Sequence, residues 1–120
     1  MKNDTNNNVL YILPKYEKYM EYVLRYCLVL LPRTEKFNIG NEFKCCMYEG
    51  LKCIVAISKV VDKEKINYIN NLDVSVILQR IYIRIMYNMR YIDEKKYMYV
   101  IDSLSEIGKM VGGYAKWLKQ

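Results

Sequence analysis

Residues 93–119 read D-E-K-K-Y-M-Y-V-I-D-S-L-S-E-I-G-K-M-V-G-G-Y-A-K-W-L-K. Tyr97, Ile101, Leu104, Gly108, Val111, Ala115 and Leu118 recur at steps of 4, 3, 4, 3, 4 and 3. That period puts one apolar stripe on one face of a helix over about Glu94 to Lys119. Asp93 stands where an N-cap carboxylate would accept the first free N–H groups. Gly108, Gly112 and Ala115 are small, which predicts that another helix approaches closely here. Each glycine costs about 1 kcal/mol against alanine inside a helix, so a packing role is expected for them.

The same period extends backwards through the chain. Tyr16, Tyr19, Met20, Val23, Tyr26, Cys27 and Leu30 predict a first helix from about Lys15 to Leu31. Pro14 suits its first turn and Pro32 stops it. Phe43, Met47, Gly50, Ile54, Ile57 and Val61 form a heptad-like seam on a second helix, about Gly40 to Val61, with Asn38 as N-cap. Asp62-Lys63-Glu64-Lys65 reads as a charged break. A third helix follows from about Lys65 to Arg90, with Ile66, Ile69, Leu72, Val76, Ile77, Ile81, Ile83, Ile85 and Met86 as a broad apolar face. The run I-Y-I-R-I at 81–85 alternates like a strand, but 26 residues without Gly or Pro favour helix. Four helices on short connections predict an all-α fold, an antiparallel up-down-up-down four-helix bundle. The bundle occupies 14–120, after a flexible N-terminal segment 1–13 that holds the Asn-rich residues 3–8.

Composition agrees. The chain has 120 residues, 52% hydrophobic and 27% charged, which is enough for one core and excludes wholesale disorder. Gly (5) and Pro (2) are too scarce for a many-turned β architecture. The apolar run Val9–Leu13 is shorter than a signal peptide needs, and no run approaches a membrane span, so a cytoplasmic location with reduced cysteines is expected.

Histidine is absent, which removes Ser-His-Asp and Cys-His catalysis and the commonest metal ligand. Glu17/Glu21, Asp62/Glu64 and Asp102/Glu106 read as solvated helix faces. Cys45 and Cys46 are adjacent, Cys27 and Cys53 stand alone, and no C-x-x-C offers zinc spacing. Cys46 and Cys53 read as core packing. No enzyme, cofactor or metal is expected.

The net charge of +6 points to a polyanionic partner. Residues 74–92 hold Arg80, Arg84 and Arg90 and no acid. Arg80 and Arg84 share one helix face, which Tyr87 and Tyr91 continue. Guanidinium groups beside tyrosine rings suit phosphate and base contact; pairing with Asp73, Glu64 or the first helix is the structural alternative. Lys44, Lys52 and Lys59 extend the basic set, with Glu49 the nearby acid.

Several features in order then resemble a known family. They are Leu31-Pro32-Arg33 at a helix end, Phe43, Ala56 to Lys59, the Arg80-x-x-x-Arg84 helix, and Glu106-Ile107-Gly108-Lys109-Met110-Val111-Gly112-Gly113-Tyr114. The chain resembles the accessory proteins of diversity-generating retroelements, called Avd, and their relatives encoded in intervening sequences of bacterial 23S ribosomal RNA genes. The family often has Trp where Tyr114 stands, and here Trp117 follows. The resemblance implies a homopentameric barrel of bundles that is not an enzyme. It implies binding to RNA or DNA and to a cognate reverse transcriptase during mutagenic copying of a template RNA into cDNA. The other branch of the resemblance implies an assembly protein whose biochemical role is undefined.

Overall fold

The computed structural model describes the backbone from Asn3 to Lys119 and the side chains from Tyr11 to Lys119. The described residues form helices joined by short turns, with no strand among them, and the molecule spans 47 × 23 × 19 Å. Helix α1 covers Asn3–Tyr22, α2 Arg33–Lys36, α3 Ile39–Ile57, α4 Asp62–Asn88 and α5 Glu94–Leu118. Both α1 and α4 pack on α3 and α5, so the four long helices surround one core.

Helix α1 departs most from expectation. It begins by Asn3 and runs through Pro14, which sits inside it and not in its first turn. Ile12, Tyr16, Tyr19, Met20 and Val23 are buried on one side, and that burial holds the helix through the proline. The expected flexibility of 1–13 falls partly on residues 1–2 and on side chains 3–10, which lie outside the described residues.

After Tyr22 the chain widens into a five-residue π-turn, Val23–Cys27, and tightens into a 3₁₀ turn, Leu28–Leu30. A π-turn inserts one residue and rotates the apolar face. Cys27, Leu28 and Leu31 therefore enter the core, while Tyr26 and Leu30, expected inside, are exposed. The chain turns extended at Leu31, ahead of Pro32, as the proline requires.

Helix α3 buries Phe43, Met47, Gly50, Cys53, Ile54 and Ile57 as its seam predicts. It ends at Ile57, and Val61, expected in the seam, is exposed. Asn38 occupies the N-cap position, but its Nδ2 donates to the Thr34 carbonyl at 2.8 Å, so its side chain does not cap α3. Asp62 and Glu64 are not a break: they form the first turn of α4, where carboxylates complement the helix dipole.

Helix α4 contains I-Y-I-R-I in helical form. Its core side is Ile69, Leu72, Val76, Ile83 and Met86 together with three polar residues, Lys65, Ser75 and Gln79. Ile77 and Ile85, expected inside, are exposed. In α5 the buried stripe is Val100, Leu104, Ile107, Val111 and Tyr114. It shares Leu104 and Val111 with the expected seam; Tyr97, Ile101, Gly108, Ala115 and Leu118 are only half-buried. Two apolar registers overlap on this helix because it packs against both α1 and α4. Asp93 caps it as expected, its Oδ1 accepting the Lys96 N–H at 2.9 Å.

The small residues of α5 have no close neighbour. A Cβ at Gly108 would meet only Val76, at 3.9 Å, and one at Gly112 or Gly113 would meet nothing within 4 Å. Gly113→Ala therefore raises stability by about 1 kcal/mol through helix propensity alone, read as a higher urea midpoint with an unchanged slope.

The close approach lies elsewhere, at Gly50. Here α1, α3 and α4 share a buried polar network. The Tyr16 hydroxyl donates to the Met47 carbonyl at 2.6 Å and accepts from Gln79 Nε2 at 3.0 Å. Gln79 Nε2 also donates to Ser75 Oγ at 3.0 Å, and Gln79 Oε1 accepts from the Tyr19 hydroxyl at 2.7 Å. Ser75 Oγ donates to the Cys46 carbonyl at 2.5 Å. A Cβ on Gly50 would collide with the Tyr16 hydroxyl and stand 2.9 Å from Ser75 Oγ.

Burial pushes the Tyr16 and Tyr114 phenols up to about 12 and raises Tyr19 as well. It also pushes the Cys27 thiol up to about 11. These groups ionise first in the unfolded chain, the thiol near 9 and the phenols near 10. Their contribution is thus whole below pH 9 and is lost as pH rises towards 12. Melting temperature should fall steeply across that window, with the phenolate absorbance of the last tyrosines appearing together with loss of helix.

Candidate nucleic-acid interface

The six expected cations, Arg80, Arg84, Arg90, Lys44, Lys52 and Lys59, are all exposed, but they do not form one patch. Arg80 and Arg84 lie on α4 near its junction with α5. Arg80 borders a cleft with Asp73, Ser105 and Lys109, and neither arginine makes an ion pair with a described residue. The expected continuation through tyrosine is not formed. Tyr87 lies flat on Tyr97, centroids 4.4 Å apart and planes within 7°, so a ring face is used in packing α4 on α5. Lys52 and Lys59 lie towards the far end of α3.

The helix directions collect the arginines instead. Tyr22 stacks on Tyr99 at 3.7 Å, and Lys15 pairs with Glu106, so α1 and α5 run in opposite directions. Tyr87 on Tyr97, with Val76 beside Gly108, gives the same result for α4 and α5. One end of the molecule therefore holds the π-turn, α2, the start of α3 and the α4–α5 turn. All five arginines, Arg25, Arg33, Arg80, Arg84 and Arg90, lie within about 12 Å of that end along the helix axes. Lys36, Lys44, Lys95 and Lys96 join them; Glu35, Glu42, Asp93, Glu94 and Asp102 share the end. Sequence reasoning missed Arg25 and Arg33. The signal that places them there is Pro32, which ends the first helix beside them.

Arg90 is the most constrained of the set. It follows the last residues of α4 with φ of +63°, the only positive φ among the described non-glycine residues. Its N–H donates to the Tyr87 carbonyl and the Tyr91 N–H to the Met86 carbonyl, both at 2.9 Å. This is the double bond that closes a helix at a left-handed residue, a position that favours glycine. The Arg90 side chain borders an open cleft of about 720 Å³ with Leu30, Asn88, Tyr91 and Lys96. Lys96 Nζ is held by Asp93 Oδ2 at 3.1 Å; the Lys96 backbone N–H, and then this side-chain bond, hold the Asp93 carboxyl below its ordinary value. Arg90→Gly should therefore raise stability, by about 1 kcal/mol, while removing a charge from this cleft. A higher melting temperature with weaker RNA binding is the expected pair of results.

Catalytic chemistry has little to work with. The Cys27 and Cys53 thiols are buried and raised by burial, and the half-buried Cys46 is raised too, so none is an activated thiolate. Among the described residues no three Cys, Asp or Glu come together to hold a metal ion, and no helix is long and apolar enough to cross a membrane.

The fold and this surface define a small, basic, all-helical protein with its arginines gathered at one end. The model of the bAvd-like family matches residues 10–118, and the chain belongs to that family. It is not a known enzyme family. No curated protein and no solved structure matches the chain.

Proposed function

We propose that this chain is a non-catalytic, nucleic-acid-binding accessory protein of a diversity-generating retroelement. In this reading it is an up-down-up-down four-helix bundle assembled as a homopentamer in the cytoplasm. It holds template RNA or its cDNA beside the reverse transcriptase during mutagenic retrohoming. The observation that carries the reading is the gathering of Arg25, Arg33 and Arg90 with Lys36, Lys95 and Lys96 at one end, in a chain of the bAvd-like family. Guanidinium forks suit phosphate oxygens, and several of them on one surface bind the backbone with little regard to sequence.

Anisotropy of a fluorescent RNA across a salt series tests this. Log affinity should fall linearly with log salt, with a slope of about −0.7 for each phosphate neutralised on a single strand. Unrelated RNAs of equal length should bind alike. Absence of binding even at low salt would leave the second branch of the resemblance, a 23S rRNA intervening-sequence-type assembly protein. Co-purification with the reverse transcriptase encoded beside the gene tests the remaining part of the reading.

A further inference from the structure

Helix α4 is apolar on two opposite sides. One side is the core. On the other, Val74, Ile77, Ile81 and Ile85 recur at steps of 3, 4 and 4 and centre on the line opposite Leu72, Val76 and Ile83. Val74 is 55%, Ile77 47% and Ile85 40% exposed. The stripe is about 16 Å long. An apolar stripe on a helix normally faces a packing partner, and no described residue covers this one. Beside the stripe runs the α4–α5 cleft, about 440 Å³ in volume, with Gly108 leaving space in it.

Arg80 and Arg84 border the stripe four residues apart and make no ion pair with a described residue. A phosphate backbone would satisfy them but would leave the aliphatic stripe in water. A protein surface with matched acids satisfies both. The chain carries such a surface. Glu17 and Glu21 are exposed on α1, also four residues apart, also without an ion pair to a described residue. Exposed Tyr48 and Val55 on neighbouring α3 supply apolar area. Because α1 and α4 each pack on α3 and α5, they are diagonal, and their outer sides face away from each other.

We propose that the occupant is a second copy of this chain, whose Glu17 and Glu21 pair with Arg84 and Arg80 while its α1–α3 side covers the Val74–Ile85 stripe. Two different surfaces on opposite sides make a head-to-tail contact, the kind that closes into a ring. This rests on the oligomeric part of the proposed function and assigns its surfaces; it removes Arg80 and Arg84 from the nucleic-acid set and leaves Arg25, Arg33 and Arg90 in it.

Sedimentation velocity on the full chain, with circular dichroism as the control for folding, tests the assignment. The parent should run as a multiple of the subunit mass. Arg80→Glu with Arg84→Glu, and separately Ile77→Lys, should fall to single-subunit mass with helicity unchanged. Adding Glu17→Arg and Glu21→Arg to the double arginine variant should restore the parent mass, because both partners are then reversed. A monomeric parent, a double variant that keeps the parent mass, or a fourfold variant that stays dissociated overturns the contact. A parent that oligomerises only with the reverse transcriptase present assigns the stripe to that partner and also overturns it. The fourfold variant keeps the parent net charge, so its RNA affinity is a separate reading. Restored mass without RNA binding sinks the nucleic-acid function alone; RNA binding without restored mass sinks the contact alone.

Discussion

A Gly50→Val chain melts about 15 °C below the parent, with a loss of about 4 kcal/mol. The parent has no Cβ at the point where the Tyr16 hydroxyl and Ser75 Oγ approach α3. Tyr16 cannot withdraw, because its ring is fully buried and its hydroxyl is tied to the Met47 carbonyl. Valine adds three carbons there. Either α1 moves off α3, opening voids along the core, or Tyr16 rotates and deprives Gln79 of one acceptor. Both changes cost more than the gain in helix propensity over glycine, about 0.5 kcal/mol. Equilibrium urea unfolding measures the difference. A Gly50→Val chain as stable as the parent would mean that α1 and α3 do not approach as described.

Gln79→Leu should cost about 2–3 kcal/mol, and adding Tyr19→Phe should return at least about 1 kcal/mol of it. Gln79 has no exposed surface and makes three hydrogen bonds. Leucine fills much the same volume, so the loss is polar in origin. Without Gln79, Tyr16 still donates to Met47 and Ser75 still donates to Cys46. Tyr19 alone loses its acceptor and is left with a buried, unpaired hydroxyl. Removing that hydroxyl in the leucine background therefore recovers stability, whereas Tyr19→Phe in the parent should lower it. Thermal melts of the four chains give the coupling. Additive effects would show that Tyr19 and Gln79 act independently.

Much of this molecule was legible in the residue order. Apolar periods of three and four identified every long helix, and Pro32 located the stop after the first. Tyr16, Val23, Phe43, Met47, Ile54, Leu104 and Val111 were placed in the core by their spacing, and the structure buries each of them. The cap at Asp93 was legible because N-cap chemistry is local, spanning three residues. A net charge of +6 pointed to an anionic partner without saying where it would sit.

What the sequence could not determine involves partners remote in the chain. Gln79 and Ser75 belong to no apolar period, yet they are buried because Tyr16 and the Cys46 carbonyl, 63 and 29 residues away, satisfy them. The π-turn at Val23–Cys27 rotated the face by a residue, which no period announces, so Leu28 replaced Leu30 inside. Gly108 and Gly112 read like Gly50, but only Gly50 has a neighbour that needs the missing Cβ. Periodicity assigned α4 one broad apolar face, whereas packing divided it into a core side and an open side. The arginines, dispersed from 25 to 90 in the chain, meet only because the helices return them to one end. A period reports how residues repeat about one helix axis; which repeat is buried, and which charges meet, is set by the helices packed around it.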